Sequence, residues 1–331
     1  MKKILLSILV LAFSAQASAV TLKIATVTPE GSQWMKDMRA SADEIKERTQ
    51  GRVQIKYYGG GVMGNDQKVL NRIRLGSLQG GAFTPTSLVK QYPDLNLYGL
   101  PLVFNSQEEA EYVRSRLDAK LEAGLEEAGF VNFGFAYGGF ALLMSNTPIT
   151  TFDDMRGKKV WVPEGDGISA ESMKALGLSP VSLPMTDVLT GLQTGLIDIV
   201  AMSPVGALVL QWHTKVKYVN EFPLVYTMGF MAVDKKSFNR ISEADQAIVR
   251  EVMRKTYKNF NKVNTVDNAG AYEALLNAGI ERVPFGQSEF DEIREVLRAS
   301  NESLGADGHF SMAMYREMMG YIGEYRQENA N

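Results

Sequence analysis

The chain contains no cysteine and only 2 histidines in 331 residues. A disulfide framework, a thiolate metal site and a cysteine nucleophile are therefore all excluded, and stability has to come from an apolar core. Catalytic signatures are missing as well. There is no Gly-x-Ser-x-Gly elbow, no His-Glu-x-x-His helix and no glycine-rich dinucleotide fingerprint, and His213 and His309 lie far apart. Gly59-Gly60-Gly61 lacks the Gly-Lys-Ser ending of a phosphate loop and reads as a turn. Glu164-Gly165-Asp166-Gly167 lacks the alternating oxygen ligands and terminal glutamate of a calcium loop. The expectation is a protein that is not an enzyme and holds no metal or cofactor. Charge of one sign is not concentrated either: 35 Lys and Arg are interspersed with 38 Asp and Glu for a formal net charge of -3. No basic stripe or tail points to nucleic acid or to an anionic membrane surface as partner.

What is present begins with Met1-Lys2-Lys3, an apolar run over 4–13, and Ala17-Ser18-Ala19. This is the order of a secretory leader, with cleavage expected before Val20. Ten apolar residues span only about 15 Å as a helix, half of a hydrocarbon core of about 30 Å, so the run reads as a leader and not as an anchor. No cysteine stands at the cleavage site to take a lipid. The remaining length exceeds the ~250–300 residues at which a single core stops growing, which predicts two domains.

Leu22-Lys23-Ile24-Ala25-Thr26-Val27 alternates as a half-buried strand, and Thr28-Pro29-Glu30-Gly31 turns into a helix over 32–48. A second strand is predicted over 52–58, a helix over 66–75 and a short buried strand over 80–83. Strands and helices in this rhythm indicate an α/β domain with a largely parallel sheet, whose ligand lies at the carboxyl ends of the strands. A charged helix over 107–127 and a strand over 131–137 follow. The stretch 141–149 reads as the crossing into a second domain. That domain opens with Phe152-Asp153-Asp154-Met155-Arg156-Gly157-Lys158-Lys159-Val160-Trp161-Val162-Pro163, read as a turn and a strand. Leu183-Pro184-Met185-Thr186-Asp187 and a helix to Gly195 come next. A strand over 226–233 returns to the first domain and leads into a long helix over 243–278. Helices around 288–300 and 311–328 are expected to cover the second domain. A chain that crosses more than once between domains makes a cleft with a hinge.

The two segments quoted last closely resemble the central signature of the solute-binding proteins of TRAP (tripartite ATP-independent periplasmic) transporters. Gly59-Gly60-Gly61-Val62-Met63-Gly64-Asn65-Asp66 resembles that family's glycine-rich strand-to-helix turn. Leu100-Pro101-Leu102-Val103-Phe104 and Ile241-Ser242-Glu243-Ala244-Asp245-Gln246 are similar to two further family segments. The resemblance covers about residues 22–250. It implies a two-domain, venus-flytrap periplasmic-binding-protein fold with mixed, largely parallel sheets and a long interdomain helix. Residues 1–19 would be the leader, 20–143 with 226–268 domain I, and 144–225 with 269–331 domain II. It further implies a periplasmic receptor that closes on a small molecule and hands it to a membrane permease. The family usually holds an organic acid with an arginine at the position of Trp161 and an asparagine at or near Ser203. Sialic-acid-binding relatives place a second arginine where this chain has Phe140, Ala141 and Leu142.

An arginine fork holds a carboxylate bidentately, and burying an anion without it costs several kcal/mol. An indole offers one donor and a large apolar face. The residues expected at the cleft are Trp161, Phe83, Thr84, Tyr137, Ser203, Val205, Met63, Trp212 and Thr28. Phe83, Val205 and Trp212 read equally well as ordinary core. This lining predicts a neutral, aromatic or amphipathic solute packed on Trp161, with Ser203 and Thr84 hydrogen bonding. Three alternatives stay open. One is a cation caged by Trp161, Tyr137 and Trp212 with Glu164 or Asp166 supplying charge. Another is a mono-carboxylate ligand. The third is an exported adaptor or efflux-associated protein that has lost solute binding. The apolar replacements are similar to TRAP-related systems that pair the receptor with a tetratricopeptide-repeat protein, a further candidate partner.

Overall fold

A computed structural model describes residues 19–221 and 223–329. The leader expected over 1–19 lies outside the described residues apart from Ala19. The strands are β1 (Val20–Ala25), β2 (Val53–Tyr58), β3 (Gly80–Phe83), β4 (Phe130–Asn132), β5 (Ala136–Ser145), β6 (Lys159–Pro163), β7 (Ser179–Leu183), β8 (Ile199–Met202), β9 (Tyr218–Val219), β10 (Val225–Asp234) and β11 (Glu281–Arg282). The helices are α1 (Gln33–Arg48), α2 (Asp66–Arg74), α3 (Gln107–Glu127), α4 (Gly167–Ala175), α5 (Val188–Thr194), α6 (Pro204–Val209), α7 (Lys235–Phe238), α8 (Glu243–Asn277), α9 (Gln287–Ala306) and α10 (Met312–Glu328).

The sheet runs β2-β1-β3-β10-β5-β8-β6-β7. One flank, β2-β1-β3, is parallel, and so is the other, β8-β6-β7. Between them β5 and β10 pair antiparallel and carry the chain across. Each flank has its own core. Leu22, Ile24, Val53, Met35 and Phe230 belong to the first, whereas Trp161, Val188, Val200 and Trp212 belong to the second. The result is the two-domain periplasmic-binding-protein fold with a cleft between the lobes.

Local signals explain the helix starts. Ser32, Asn65, Ser106, Asp166, Ser203, Ser242 and Ser311 each accept a backbone N–H of the first turn of their helix. Each such cap contributes about 1 kcal/mol. Helix α8 begins at the Ser242-Glu243-Ala244-Asp245 cap and runs 35 residues. Its core contacts change lobe along its length: Val249, Met253 and Phe260 join the first core, and Leu275 joins the second.

Two expectations need correction. The strand predicted over 131–137 is divided, because Gly134 turns the chain at φ 117° between β4 and β5. Helix α10 does not cover the second lobe. Its Tyr315, Met318 and Ile322 join the first core, and it is tied to α3 by Lys120 with Glu317 and by Arg326 with Glu109 at 2.7 Å. Its apolar face matches α3, and the second lobe takes α9 instead through Phe290, Ile293 and Leu297.

The turn that opens the second lobe carries a prediction of its own. Asp154 Oδ2 accepts the N–H of Thr150 at 2.8 Å, that of Thr151 at 2.9 Å and the hydroxyl of Thr150 at 2.9 Å. Those donors, the two backbone groups first, hold its carboxyl down at about 2. A depressed carboxyl stabilises the fold fully above its ordinary value of about 3.9, and that contribution is lost as pH falls through the folded value. A carboxyl NMR titration of folded protein is expected to place Asp154 near the bottom of the carboxylate range. A midpoint close to 4 refutes the three-donor turn.

Candidate ligand-binding site

A cavity of ≈ 360 Å³ opens between the lobes. The first lobe supplies the carboxyl end of β1 with Thr26, Val27 and Thr28, the end of β3 with Phe83 and Thr84, and Trp34 from the first turn of α1. The second lobe supplies Trp161 of β6, Met185 and Thr186 after β7, and Ser203 after β8. The crossing strands add Tyr137 and Tyr226. Strand ends thus converge on the cleft from both sides, as an α/β sheet requires.

Trp161 is 5% exposed and lines the cavity. Its indole N–H donates to the carbonyl of Leu183 at 3.0 Å, and its ring meets Trp212 edge-on at 5.0 Å and 84°. The donor that the sequence suggested for a ligand is therefore consumed, and Trp161 presents apolar ring surface. Trp34 behaves alike, since its N–H donates to Asn264 Oδ1 at 2.8 Å. Tyr137 stacks on Tyr226 at 4.9 Å, and Phe140 meets both edge-on.

Of the nine residues expected at the cleft, Trp161, Phe83, Thr84, Tyr137, Ser203 and Thr28 line the cavity. Three do not. Trp212 is 1% exposed and sits behind Trp161 in the second core, which also removes the aromatic cage considered for a cation. Val205 is buried at the start of α6, and Met63 packs on the first core. The sequence reading missed Trp34, Tyr226 and Asp66. Trp34 was findable, because it lies in the first turn of α1, the helix that follows the carboxyl end of β1.

No lysine, arginine or histidine is among the described lining residues, whereas Asp66, Glu164 and Asp166 are. Each acid already has a partner. Asp66 takes the hydroxyl of Ser87, Asp166 takes the N–H and hydroxyl of Ser169 at 2.9 and 2.7 Å, and Glu164 takes the amide of Asn65 at 2.9 Å. That last bond joins the two lobes at the rim. Burial pushes the Asp66 carboxyl up, opposed by Ser87 and reinforced by Glu164, and burial likewise pushes Asp166 up against its Ser169 bonds. Among the described residues no cluster of His, Asp or Glu could hold a metal ion, and no helix is long and apolar enough to cross a membrane.

Two α/β lobes around one cavity, joined by crossing strands and a shared helix, define a solute receptor. The family model for bacterial extracellular solute-binding protein, family 7 (DctP) matches residues 24–305, and the chain belongs to that family. It is a periplasmic receptor of the TRAP type. The chain is 26% identical over 319 residues to the C4-dicarboxylate-binding periplasmic protein DctP of Rhodobacter capsulatus, covering 92% of this chain and 90% of that one. In fold it is similar to the sugar acid binding protein DctPAm of Advenella mimigardefordensis, solved with galactonate. The TM-score there is 0.85 at 19% identity, over 93% of this chain and 99% of that one. A receptor from Desulfovibrio salexigens solved with orotic acid matches at TM-score 0.82 and 20% identity, over 92% and 99%.

Proposed function

We propose that this receptor binds a neutral, aromatic or amphipathic solute and delivers it to a TRAP membrane permease. The observation that carries the reading is the charge of the lining: three carboxylates and, among the described residues, no base. The relatives named above bind acids. A carboxylate placed in this cavity would lose its hydration without gaining a cationic partner and would lie among Asp66, Glu164 and Asp166. A neutral ring avoids both penalties and gains contact with Trp161, Phe83, Tyr137 and Trp34. Thr28, Thr84 and Ser203 supply hydroxyls for its polar end. The resemblance supports the same conclusion, because Trp161 stands at the position where the family carries its carboxylate-binding arginine.

A cationic ligand is the weaker reading. The acids already hold Ser87, Ser169 and Asn65, and the aromatic cage that would face a cation lacks Trp212, which is buried behind Trp161.

Closure of the two lobes about the crossing strands would sequester the solute, with the Asn65–Glu164 bond at the rim marking the closed state. The test uses two dyes with one ring system. N-phenyl-1-naphthylamine is neutral, and 1-anilinonaphthalene-8-sulfonate carries a negative charge. The neutral dye is expected to bind saturably, at least about tenfold more tightly than the sulfonate, and to raise the melting temperature. Tighter binding of the sulfonate, or of galactonate, overturns the reading.

A further inference from the structure

Helix α8 presents three asparagines, Asn261, Asn264 and Asn268, at spacings of three and four residues, so they share one face. That face meets β5 where its pairing with β10 slips a register between Thr227 and Met228 and Gly139 adopts φ 104°. The bulged backbone lacks regular strand partners there, and the amides replace them. Asn261 takes the N–H of Tyr137 at 2.6 Å and donates to the carbonyl of Phe135 at 3.0 Å. Asn268 donates to the carbonyls of Gly138 at 3.3 Å and Asn264 at 2.8 Å, and accepts the N–H of Val205 at 3.4 Å.

Asn264 differs from its neighbours because it also reaches the cavity. Its Nδ2 donates to the carbonyl of Tyr137, and its Oδ1 accepts from the indole of Trp34 at 2.8 Å. An indole N–H can only donate and a carbonyl can only accept. The side chain between them must therefore offer an acceptor to one and a donor to the other within a short reach. Asparagine meets that condition at every pH, leucine never does, and an aspartic acid does so only while protonated. The residue is 3% exposed, so water cannot stand in for a lost partner.

We propose that Asn264 is a positioning residue for ligand recognition: it locks Trp34 with its apolar ring toward the cavity and ties that ring to the backbone of Tyr137. The solute then meets Trp34 and Tyr137 as one rigid wall, opposite the Trp161 of the other lobe. This deepens the apolar-solute reading and rests on it for the choice of ligand, but the orientation of Trp34 can be measured without any ligand.

The experiment uses the full receptor labelled with 5-fluorotryptophan. The chain has 3 tryptophans, and Trp34→Phe assigns the resonance of Trp34. Asn264→Leu, and the volume-conserving Asn264→Asp at a pH where its carboxyl is ionised, are expected to move the Trp34 resonance while leaving Trp161 and Trp212 in place. Both are expected to weaken N-phenyl-1-naphthylamine by about tenfold or more. Combining Trp34→Phe with Asn264→Leu is expected to cost no more than the worse single change, because both remove one shared element. An unmoved Trp34 resonance, or additive losses of affinity, overturns the proposal. If the wild-type protein fails to bind the neutral dye, the apolar-solute reading falls, and the resonance alone still upholds or overturns the role of Asn264.

Discussion

Trp161→Arg is expected to reverse the receptor's preference, weakening N-phenyl-1-naphthylamine by about thirtyfold and strengthening its sulfonated analogue. The side chain is 5% exposed, so the substitution acts on a packed wall. Removing the indole frees the carbonyl of Leu183 and the edge contact with Trp212. An aromatic pair contributes about 0.5–1.5 kcal/mol beyond its buried area. Deleting a buried aromatic ring altogether costs about 3–5 kcal/mol, of which the arginine stem would recover a part. The new guanidinium would enter a cavity that already holds Asp66, Glu164 and Asp166, and its charge would be partly met there. A sulfonate would then find a cation where none stood among the described lining residues, while a neutral ring would lose one of its two indole contacts. Fluorescence titration of both dyes against wild-type and variant protein checks this. Unchanged binding of the neutral dye removes Trp161 from the site, and unchanged binding of the sulfonate removes the charge argument.

How far the residues alone reach is seen by comparing Trp161 with Trp212. The strand Lys159-Val160-Trp161-Val162-Pro163 is bounded by turn residues, and the resemblance implies that Trp161 stands at the cleft. The structure places Trp161 there. Trp212 follows Gln211, at φ 61°, and opens a short 3₁₀ turn that no periodicity announces, so the residues alone leave it equally open between core and cleft. The helices at 107–127 and 243–277 were legible for a different reason, since each begins at a serine cap and continues with helical spacing. Packing between distant elements was not. Nothing local distinguishes a helix that covers the second lobe from α10, whose partners on α3 lie about two hundred residues upstream. The asparagines of α8 were hidden likewise, because a polar face on a long helix ordinarily meets solvent, and only the bulge in β5 gives these amides something to bind. The charge of the lining was legible in part: the sequence shows an indole in the strand 159–163, and the fold adds that no lysine, arginine or histidine is among the described lining residues.

Among the described residues Arg114 is the buried arginine, it stands behind this cavity, and its removal is the second large effect expected. Arg114 of α3 has a side chain only 8% exposed. It pairs with Asp118 at 2.9 Å and donates to the carbonyl of Phe135 at 2.7 Å, the hydroxyl of Tyr226 at 3.0 Å and Asn261 Oδ1 at 3.3 Å. Burial by itself would lower its pKa, but Tyr226 and Asp118 hold it above the ordinary arginine range, so it stays charged. Every one of these partners is protein, and the guanidinium does not line the cavity. Arg114→Ala would leave Asp118 without its cation and the Tyr226 hydroxyl without its donor, while the Phe135 carbonyl and Asn261 Oδ1 each keep one bond, and it is expected to cost about 3 kcal/mol. Lysine is not an adequate replacement, because a point charge cannot reach four acceptors set around a planar fork. Urea unfolding measures the loss, and a change below about 1 kcal/mol would show that the network is not as buried as its geometry implies. The consequence for function follows from Tyr226, which stacks on Tyr137 and lines the cavity. With its hydroxyl released, that wall loses its anchor, so Arg114→Ala should weaken the neutral dye without creating any affinity for the sulfonate. That pattern separates it from Trp161→Arg: one removes a support from behind an uncharged wall, and the other puts a charge through it.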